Sequence, residues 1–552
     1  MNLCLQTSLL FIVLILSIKS EAQTAPNRFW IQFGDKDQVN YSLSEPQEFL
    51  SAKCIERRQT QSIGFNALDL PIDENYVQQI LNAGPCQVVN RSKWFNAITI
   101  FTLDTTLIDE IENLPFVIGT RAVESFTQPN KLEKAGGTAY RAQGNETVIN
   151  EYGPSFRQIE MLNGHLLHEI SLYGEGMHIA ILDAGWNESD HLPCFNHIRS
   201  NGRILGVRDF VFGDDQVYSL SNHGTYVWSI MAGIIPDSLM GAAPAASYYL
   251  FRTEDPSSEY VVEEDNWVSA MEVCDSLGVD IINSSLGYSL FDDSLQNHSY
   301  ADMDGNTTRI SIAGDIAASK GILVVNSAGN SGDNPWRYIT APSDGDSVLC
   351  IGAVDANRIH ASFSSFGPSS DGDIKPNVSA MGRDCVFAAL DSTISKGNGT
   401  SFSSPLIAGM AACLWQAFPA KKNMEIFRAI EESAHLYNNP NDSLGQGIPD
   451  FWRAYHILSN NINPFENSSI YVWPTVFENE INIESLSIEP QSLVAELFDA
   501  KGSLINRWEG SLPGTGANVV QVRLIPDTSA GIYFLKVKSS NEERTFKLFK
   551  SL

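Results

Sequence analysis

His178-Ile179-Ala180-Ile181-Leu182-Asp183 is an unbroken apolar run that ends in a carboxylate and is followed by the turn residues Ala184-Gly185. A strand with one wet face alternates apolar and polar side chains. A run without alternation fits a strand covered on both faces, as in a parallel sheet lying between two layers of helices. Ser247 to Arg252, Asp280 to Ser284, Gly321 to Asn326 and Val348 to Val354 read as further strands of the same sheet, and helical patterns separate them. Residues 156–460 are therefore expected to form an α/β domain with a mostly parallel sheet and helices on both faces. Ligands of such sheets bind beyond the carboxyl ends of the strands, which directs attention to the residues ending each run.

Those residues carry chemistry. Asp183 places a carboxylate at the rim, where an ordinary turn aspartate would also stand. Asn222-His223-Gly224-Thr225 puts a histidine ahead of the apolar helical stretch Val227 to Ala232; capping explains the asparagine and leaves the histidine unexplained. Ser285-Leu286-Gly287 ends one strand and Ala328-Gly329-Asn330 another. Asn330 can aim an amide at a reacting oxygen or simply occupy a left-handed turn. Finally, Gly399-Thr400-Ser401-Phe402-Ser403-Ser404-Pro405 runs into an all-round apolar helix, with Pro405 expected in its first turn. Ser401 thus sits at a positive helix end, suited to a serine that attacks a carbonyl and equally suited to a plain cap.

Taken together and in order, Asp183-Ala184-Gly185, His223-Gly224-Thr225, Ser285-Leu286-Gly287, Ala328-Gly329-Asn330 and Gly399 to Pro405 resemble the successive motifs of the subtilisin-like serine proteases. Spacings of 40 residues from Asp183 to His223 and 178 from His223 to Ser401 accompany them. The resemblance covers roughly 156–460. It implies a subtilisin-like fold and serine endopeptidase activity through Asp183, His223 and Ser401, with Asn330 as oxyanion donor and Ser285, Leu286 and Gly287 pairing with an extended protein substrate. The order Asp, His, Ser differs from that of α/β-hydrolases, and the second glycine of their Gly-x-Ser-x-Gly elbow is replaced here by Ser403. The rival from another class is a noncatalytic cell-surface adhesion protein on the same scaffold; retention of all four polar residues argues against it.

Around this domain the chain divides further. Leu9 to Ile18 is too short to span a bilayer and is followed by Ser20-Glu21-Ala22, so residues 1–22 read as a secretory signal. Residues 24–126 alternate strand and helix patterns as a small α+β domain. They include a helix over Glu74 to Ala83 behind Asp73, strands at Val88-Val89, Trp94 to Leu103 and Phe116 to Val123, and a polar insert at 34–72 that is open to a helical reading. Given the resemblance, this is an inhibitory propeptide. Residues 127–155, rich in glycine and proline pairs, read as a linker and processing region. Residues 470–552 switch to short alternating strands punctuated by Lys501-Gly502 and Gly514-Thr515-Gly516, a small β-sandwich. Trp473-Pro474-Thr475, Ala530 to Phe534 and Phe546 to Lys550 resemble the C-terminal sorting domain of the type IX secretion system of Bacteroidetes. That implies a protein exported through this machinery, secreted or at the cell surface.

Composition closes other readings. The 552 residues carry 65 acidic against 36 basic side chains, a net charge of −29, which argues against nucleic acid or an anionic membrane surface as partner. No other segment is apolar and long enough for a membrane helix. The eight cysteines lack Cys-x-x-Cys spacing and define no disulfide framework; Cys413, on the helix after Ser401, is expected as a buried free thiol. His165-Leu166-Leu167-His168-Glu169 has neither zinc-hydrolase order. No cofactor is required. Asp302-Met303-Asp304-Gly305-Asn306 supplies close-spaced oxygen atoms before a turn glycine, the pattern of a calcium loop or of an acidic surface turn.

Overall fold

The computed structural model describes residues 26–37, 39–125, 138–141, 152–459 and, in the C-terminal region, 470–473, 476–477, 480–485, 491–512, 518–523, 531–539 and 542–550. The signal stretch and most of the 127–155 linker lie outside the described residues. At the centre is a seven-stranded sheet in the order Val378–Met381, Val348–Val354, Leu323–Ser327, Ile281–Ser284, His178–Asp183, Ser247–Arg252 and Ile204–Asp209. Every neighbouring pair is parallel.

The unbroken apolar run is explained by what covers it. Ile179 and Ile181 face a core built with the helices His223–Ala232 and Thr400–Ala417, while Ala180 and Leu182 face a second core with Val262–Leu277 and Arg309–Ser319. All four side chains are fully buried. Two strands had no clear signal. Ile204–Asp209 is an edge strand in which only Asp209 is buried, and Val378–Met381 is only four residues long.

The preceding domain is an antiparallel sheet in the order Gln87–Ser92, Ala97–Phe101, Pro26–Phe33, Val117–Ser125, backed by helices Glu74–Ala83 and Thr106–Glu112. Asp73 caps its helix by accepting from Asn75 N at 2.8 Å. The polar insert contains a further helix, Ala52–Gln61, capped by Ser51, and it packs on Val262–Leu277 of the central domain, where Arg57 and Arg58 meet Asp275. Gly278, which ends Val262–Leu277, has φ +80°, and a Cβ there would meet Cys54 N at 2.4 Å. Glycine therefore both closes this helix and admits the backbone of its neighbour.

At this contact Asp275, fully buried, receives Arg57 Nη2 and Arg58 Nη2, each at 2.7 Å, and Lys93 Nζ at 3.2 Å. Arg58 and Lys320 both reach Asp69, at 2.9 Å. Three residues earlier on the same helix, Glu272 accepts from Ser92 Oγ at 2.5 Å, Lys93 N at 2.6 Å and Trp94 N at 3.0 Å. Trp94 itself enters the central domain's second core.

The C-terminal region forms a three-stranded sheet (Ile470–Trp473, Glu480–Ser485, Asn518–Arg523) and a five-stranded sheet (Val476–Phe477, Glu543–Lys550, Gly531–Lys538, Gln491–Asp499, Leu504–Leu512). Ile481 and Ile483 from one sheet and Leu497, Leu535 and Val537 from the other share one core, so the two sheets make a sandwich. Among the described residues no helix is long and apolar enough to cross a membrane.

Candidate active site

Asp183 is the last residue of its strand and is fully buried. Its two carboxylate oxygens lie 2.8 and 2.9 Å from Nδ1 of His223, and Oδ1 also accepts from Ala184 N at 2.7 Å. Nδ1 is thus the protonated nitrogen, and Nε2 is the one that can act as a base. Burial lowers the basicity of His223, but the charge of Asp183 and its hydrogen bond outweigh burial, and the ring ends up more basic than an ordinary histidine. His223 opens its helix, so its ring stands at the strand ends; at Gly224 a Cβ would meet Gly185 O at 2.5 Å, and the helix could not come this close with any other residue.

Ser401 is the second residue of the helix Thr400–Ala417 and is almost fully buried. Its Oγ donates to Ser285 O at 3.3 Å, and Ser285 Oγ donates back to Ser401 O at 3.1 Å. His223 Nε2 holds no hydrogen bond in this state. The His223 ring lies 6.2 Å from that of Phe402, next to Ser401, so the histidine and the serine-bearing helix start are neighbours. A serine hydroxyl turns about a single bond, and such contacts commonly tighten only with substrate present.

Pro405 does not sit in the first turn, as expected from sequence. The helix begins at Thr400, which places the proline in the second turn, where it cannot donate to the carbonyl four residues back. That carbonyl belongs to Ser401, and the Ser285 hydroxyl takes it instead. Asn330 is not left-handed; the left-handed residue is Gly329, with φ +101°. The Asn330 carboxamide oxygen accepts from Thr400 N at 2.8 Å and Thr400 Oγ1 at 3.0 Å, which makes the NH2 group its donor end. Leu286 O accepts from Asn326 Nδ2 at 3.0 Å, and a Cβ at Gly287 would meet Thr340 Oγ1 at 2.2 Å.

Two residues of this assembly had no role from sequence. Thr400 sets the flip of Asn330. Asn283, fully buried within its strand, accepts from Ser404 Oγ at 2.8 Å and donates to Ser285 Oγ at 3.2 Å, tying the sheet to the first turns of the helix. A polar residue inside an otherwise apolar strand was the available signal for it.

The other candidates have structural partners. His168 sits between Tyr152 Oη at 2.7 Å and Ala242 O at 2.9 Å, and burial pushes it down to about 4. Asp302 accepts from Ser299 N and Oγ, both at 2.7 Å, and Asp304 from Asn306 N at 2.9 Å and Thr307 N at 2.8 Å. These carboxylates cap turns and present no preformed calcium cage, so no step is routed through calcium. Cys413 is a buried thiol donating to Ala242 O at 3.1 Å, and the other described cysteines are free as well.

A doubly covered parallel sheet with a carboxylate–histidine pair and a helix-seated serine beyond its strand ends defines a class, the serine peptidases built on an α/β sheet. Comparison with known proteins places the chain within that class. Residues 174–447 match the subtilase family model, and residues 28–138 match the peptidase S8 propeptide domain of the Bacteroidota. The thermostable alkaline protease of Halalkalibacterium halodurans is 26% identical over 352 residues, which are 64% of this chain and 86% of that protein. Subtilisin DY of Bacillus licheniformis is 29% identical over 279 residues, 50% of this chain and 89% of its own. A solved structure of MycP3 protease from the type VII (ESX-3) secretion system aligns at 20% identity with a TM-score of 0.44, over 60% of this chain and 94% of that one. The central domain belongs to the subtilase family: the chain is a subtilisin-like serine protease that carries its own propeptide domain.

Proposed function

We propose that this protease cleaves proteins through Asp183, His223 and Ser401. His223 Nε2 removes the Ser401 proton as Oγ attacks the peptide carbonyl, then gives that proton to the leaving amine, while Asp183 keeps the imidazole in the required tautomer and stabilises its charged form. Water then releases the acyl group by the same base. The NH2 of Asn330 and the N–H of Ser401, at the positive helix end, bind the oxyanion. Ser285 to Gly287 offer backbone to an extended substrate. No cofactor takes part.

The single observation that carries this reading is the paired approach of Asp183 to His223 Nδ1, which leaves Nε2 as a base next to a serine seated at a helix start. The test is labelling by a fluorophosphonate and hydrolysis of casein, wild type against Ser401→Ala. Wild type is expected to label and digest, and the variant to lose about a millionfold in turnover, a magnitude measured on a subtilisin. Equal signals from both would leave a noncatalytic binding protein.

The sorting role of 470–552, export through type IX secretion machinery, removal of 1–22 and a secreted or cell-surface location belong to the same reading. They rest on the resemblances of Trp473 to Thr475, Ala530 to Phe534 and Phe546 to Lys550 and on the apolar stretch Leu9 to Ile18. Deletion of 470–552 is expected to trap the protein inside the cell envelope; undiminished release into the medium would remove the sorting assignment.

A further inference from the structure

Lys375 is fully buried, and its Nζ donates to Gly345 O at 2.6 Å, Val348 O at 3.0 Å and Asn377 Oδ1 at 3.3 Å. Its three protons thus have three acceptors, and all three are neutral oxygens. Lys320, equally buried, instead pairs with the carboxylate of Asp69 at 2.9 Å. A charge taken out of water without a counterion in contact is costly, so the oxygens around it must do what water would have done. Carbonyls converge in the same way on the dehydrated ions of a potassium filter.

The loop that offers these carbonyls depends on such a centre. Residues 340–345 are buried throughout and lie outside every helix and named strand, so their polar backbone needs donors brought from elsewhere. Four carboxyls, those of Asp315, Asp344, Asp346 and Glu431, lie within reach of the ammonium's charge. Burial raises each of them, that of Asp315 to about 6, and the charge of Lys375 works against the rise in all four.

From the ammonium a continuous chain of contacts leads to the site. Gly345 N donates to Pro342 O at 3.1 Å and closes the turn that carries Ser343. Ser343 Oγ donates to Ser327 O at 2.7 Å and accepts from Asn326 Nδ2 at 2.9 Å, and the same Nδ2 donates to Leu286 O at 3.0 Å. Tyr288 N donates to Ala341 O at 2.8 Å, and Ala341 N to Tyr288 O at 3.2 Å. One residue earlier, the Thr340 hydroxyl stands between two glycines: a Cβ would meet it at 2.2 Å from Gly287 and at 3.2 Å from Gly329. The loop therefore braces 285–287 and 328–330 together.

We infer that the Lys375 ammonium is a built-in monovalent cation, and that through the loop it gathers it positions the segments 285–287 and 328–330. Lys375 is a positioning residue, for it touches neither substrate nor reacting atoms. The effect on substrate rests on the catalytic reading above, and the cation role does not.

The test compares full-length wild type, Lys375→Ala and Lys375→Met in choline chloride, whose cation is too large for the site, and in ammonium or potassium chloride of equal ionic strength. It reads the thermal midpoint and the KM and kcat of casein hydrolysis, with active sites counted by fluorophosphonate. Wild type is expected to be indifferent to the salt. In choline both variants are expected to lose about 5 °C or more of midpoint. Their kcat/KM falls about a hundredfold, mostly through KM, as when a site shifts by an ångström. Ammonium or potassium is expected to restore most of both losses in Lys375→Ala, which leaves room for an ion among the same oxygens. Neither is restored in Lys375→Met, whose stem fills that room. Variants equal to wild type in choline overturn the inference. So does a Lys375→Ala protein that neither salt restores, whether the loss shows as turnover or as insolubility, and so does equal rescue of Lys375→Met, the mark of a general salt effect. A rescued midpoint with KM unchanged throughout overturns the coupling to the site alone. Wild type that neither labels nor digests casein overturns the catalytic reading and the coupling, and the midpoints then decide the cation role by themselves.

Discussion

Asp183 and Asp275 are both fully buried and ionically paired, and their surroundings differ in kind. Asp183 meets one partner, His223, whose charge comes and goes with a proton. Asp275 meets three cations, Arg57, Arg58 and Lys93, and although burial opposes its ionisation these hold its carboxyl far below the usual range. The first arrangement is made to cycle and the second to hold. A pair that must exchange protons during a reaction cannot be saturated with fixed charge, whereas a propeptide that must stay docked gains from it, since breaking one member of a buried pair leaves an uncompensated charge. On the proposed reading one chain buries carboxylates for turnover and for inhibition, and the type of partner around Asp183 and Asp275 tells the two apart.

Removing one carboxylate charge at a time tests that distinction. Asp183→Asn keeps the shape but favours the wrong tautomer of His223, and turnover of the mature enzyme is expected to fall about ten-thousandfold, as in other serine proteases. Its acid limb, which in wild type lies above the ordinary histidine value because the ring's basicity is raised, moves to lower pH because the charge that raised it is gone. A pH–rate profile checks both, and propeptide binding stays unchanged. Asp275→Asn should do the reverse. Mature turnover stays as it was, while inhibition by added propeptide domain weakens by about 3–5 kcal/mol, the usual cost of orphaning buried charge. Inhibition constants decide it, and equal affinity for both forms would end the assignment of Asp275 to docking. Asn330→Ala is expected to lower kcat about a hundred- to a thousandfold with KM little changed, a magnitude established on a subtilisin.

The smallest effect is in pH. Burial pushes the Glu272 carboxyl up from 4.5 to about 7 against the hydrogen bonds from Ser92, Lys93 and Trp94 that favour its charge. A carboxyl raised on docking takes up a proton as the domains meet, so its contribution is full below about 4.5 and is lost as pH rises to about 7. Lys93 and Lys36 face the same carboxyl, and Asp275 acts in the opposite sense only as pH falls below its ordinary 3.8, outside this window. Propeptide inhibition is therefore expected to weaken as pH is raised from 5 to 7, by about tenfold or more. Glu272→Gln should flatten the profile; a profile that keeps its slope in the variant would assign the effect elsewhere.

The sheet was legible because burial on both faces leaves its mark in each strand's own composition, as in Ile179 to Leu182. The edge strand Ile204–Asp209 was not, since one open side relaxes that demand. Helix Ala52–Gln61 fell in the insert read as open to helix, but its docking role escaped for a related reason: it docks by Arg57, Arg58 and Gln61, and a polar docking face looks like a solvated one until Asp275 is in place. At the site, the residues proposed to react stood out in the sequence because their types are few. Those that hold them, Thr400 and Asn283, were not, because their value lies in who stands opposite.

Pro405 leaves a rung missing from the helix ladder, and the gap is what lets Ser285 reach the Ser401 carbonyl while the Ser401 hydroxyl reaches back. The two serines are thereby geared. Under the proposed mechanism, a peptide strand drawing on the backbone of Ser285 would compete for the same oxygen on which the Ser401 hydroxyl rests, so that arrival of a substrate and release of the nucleophile become one displacement.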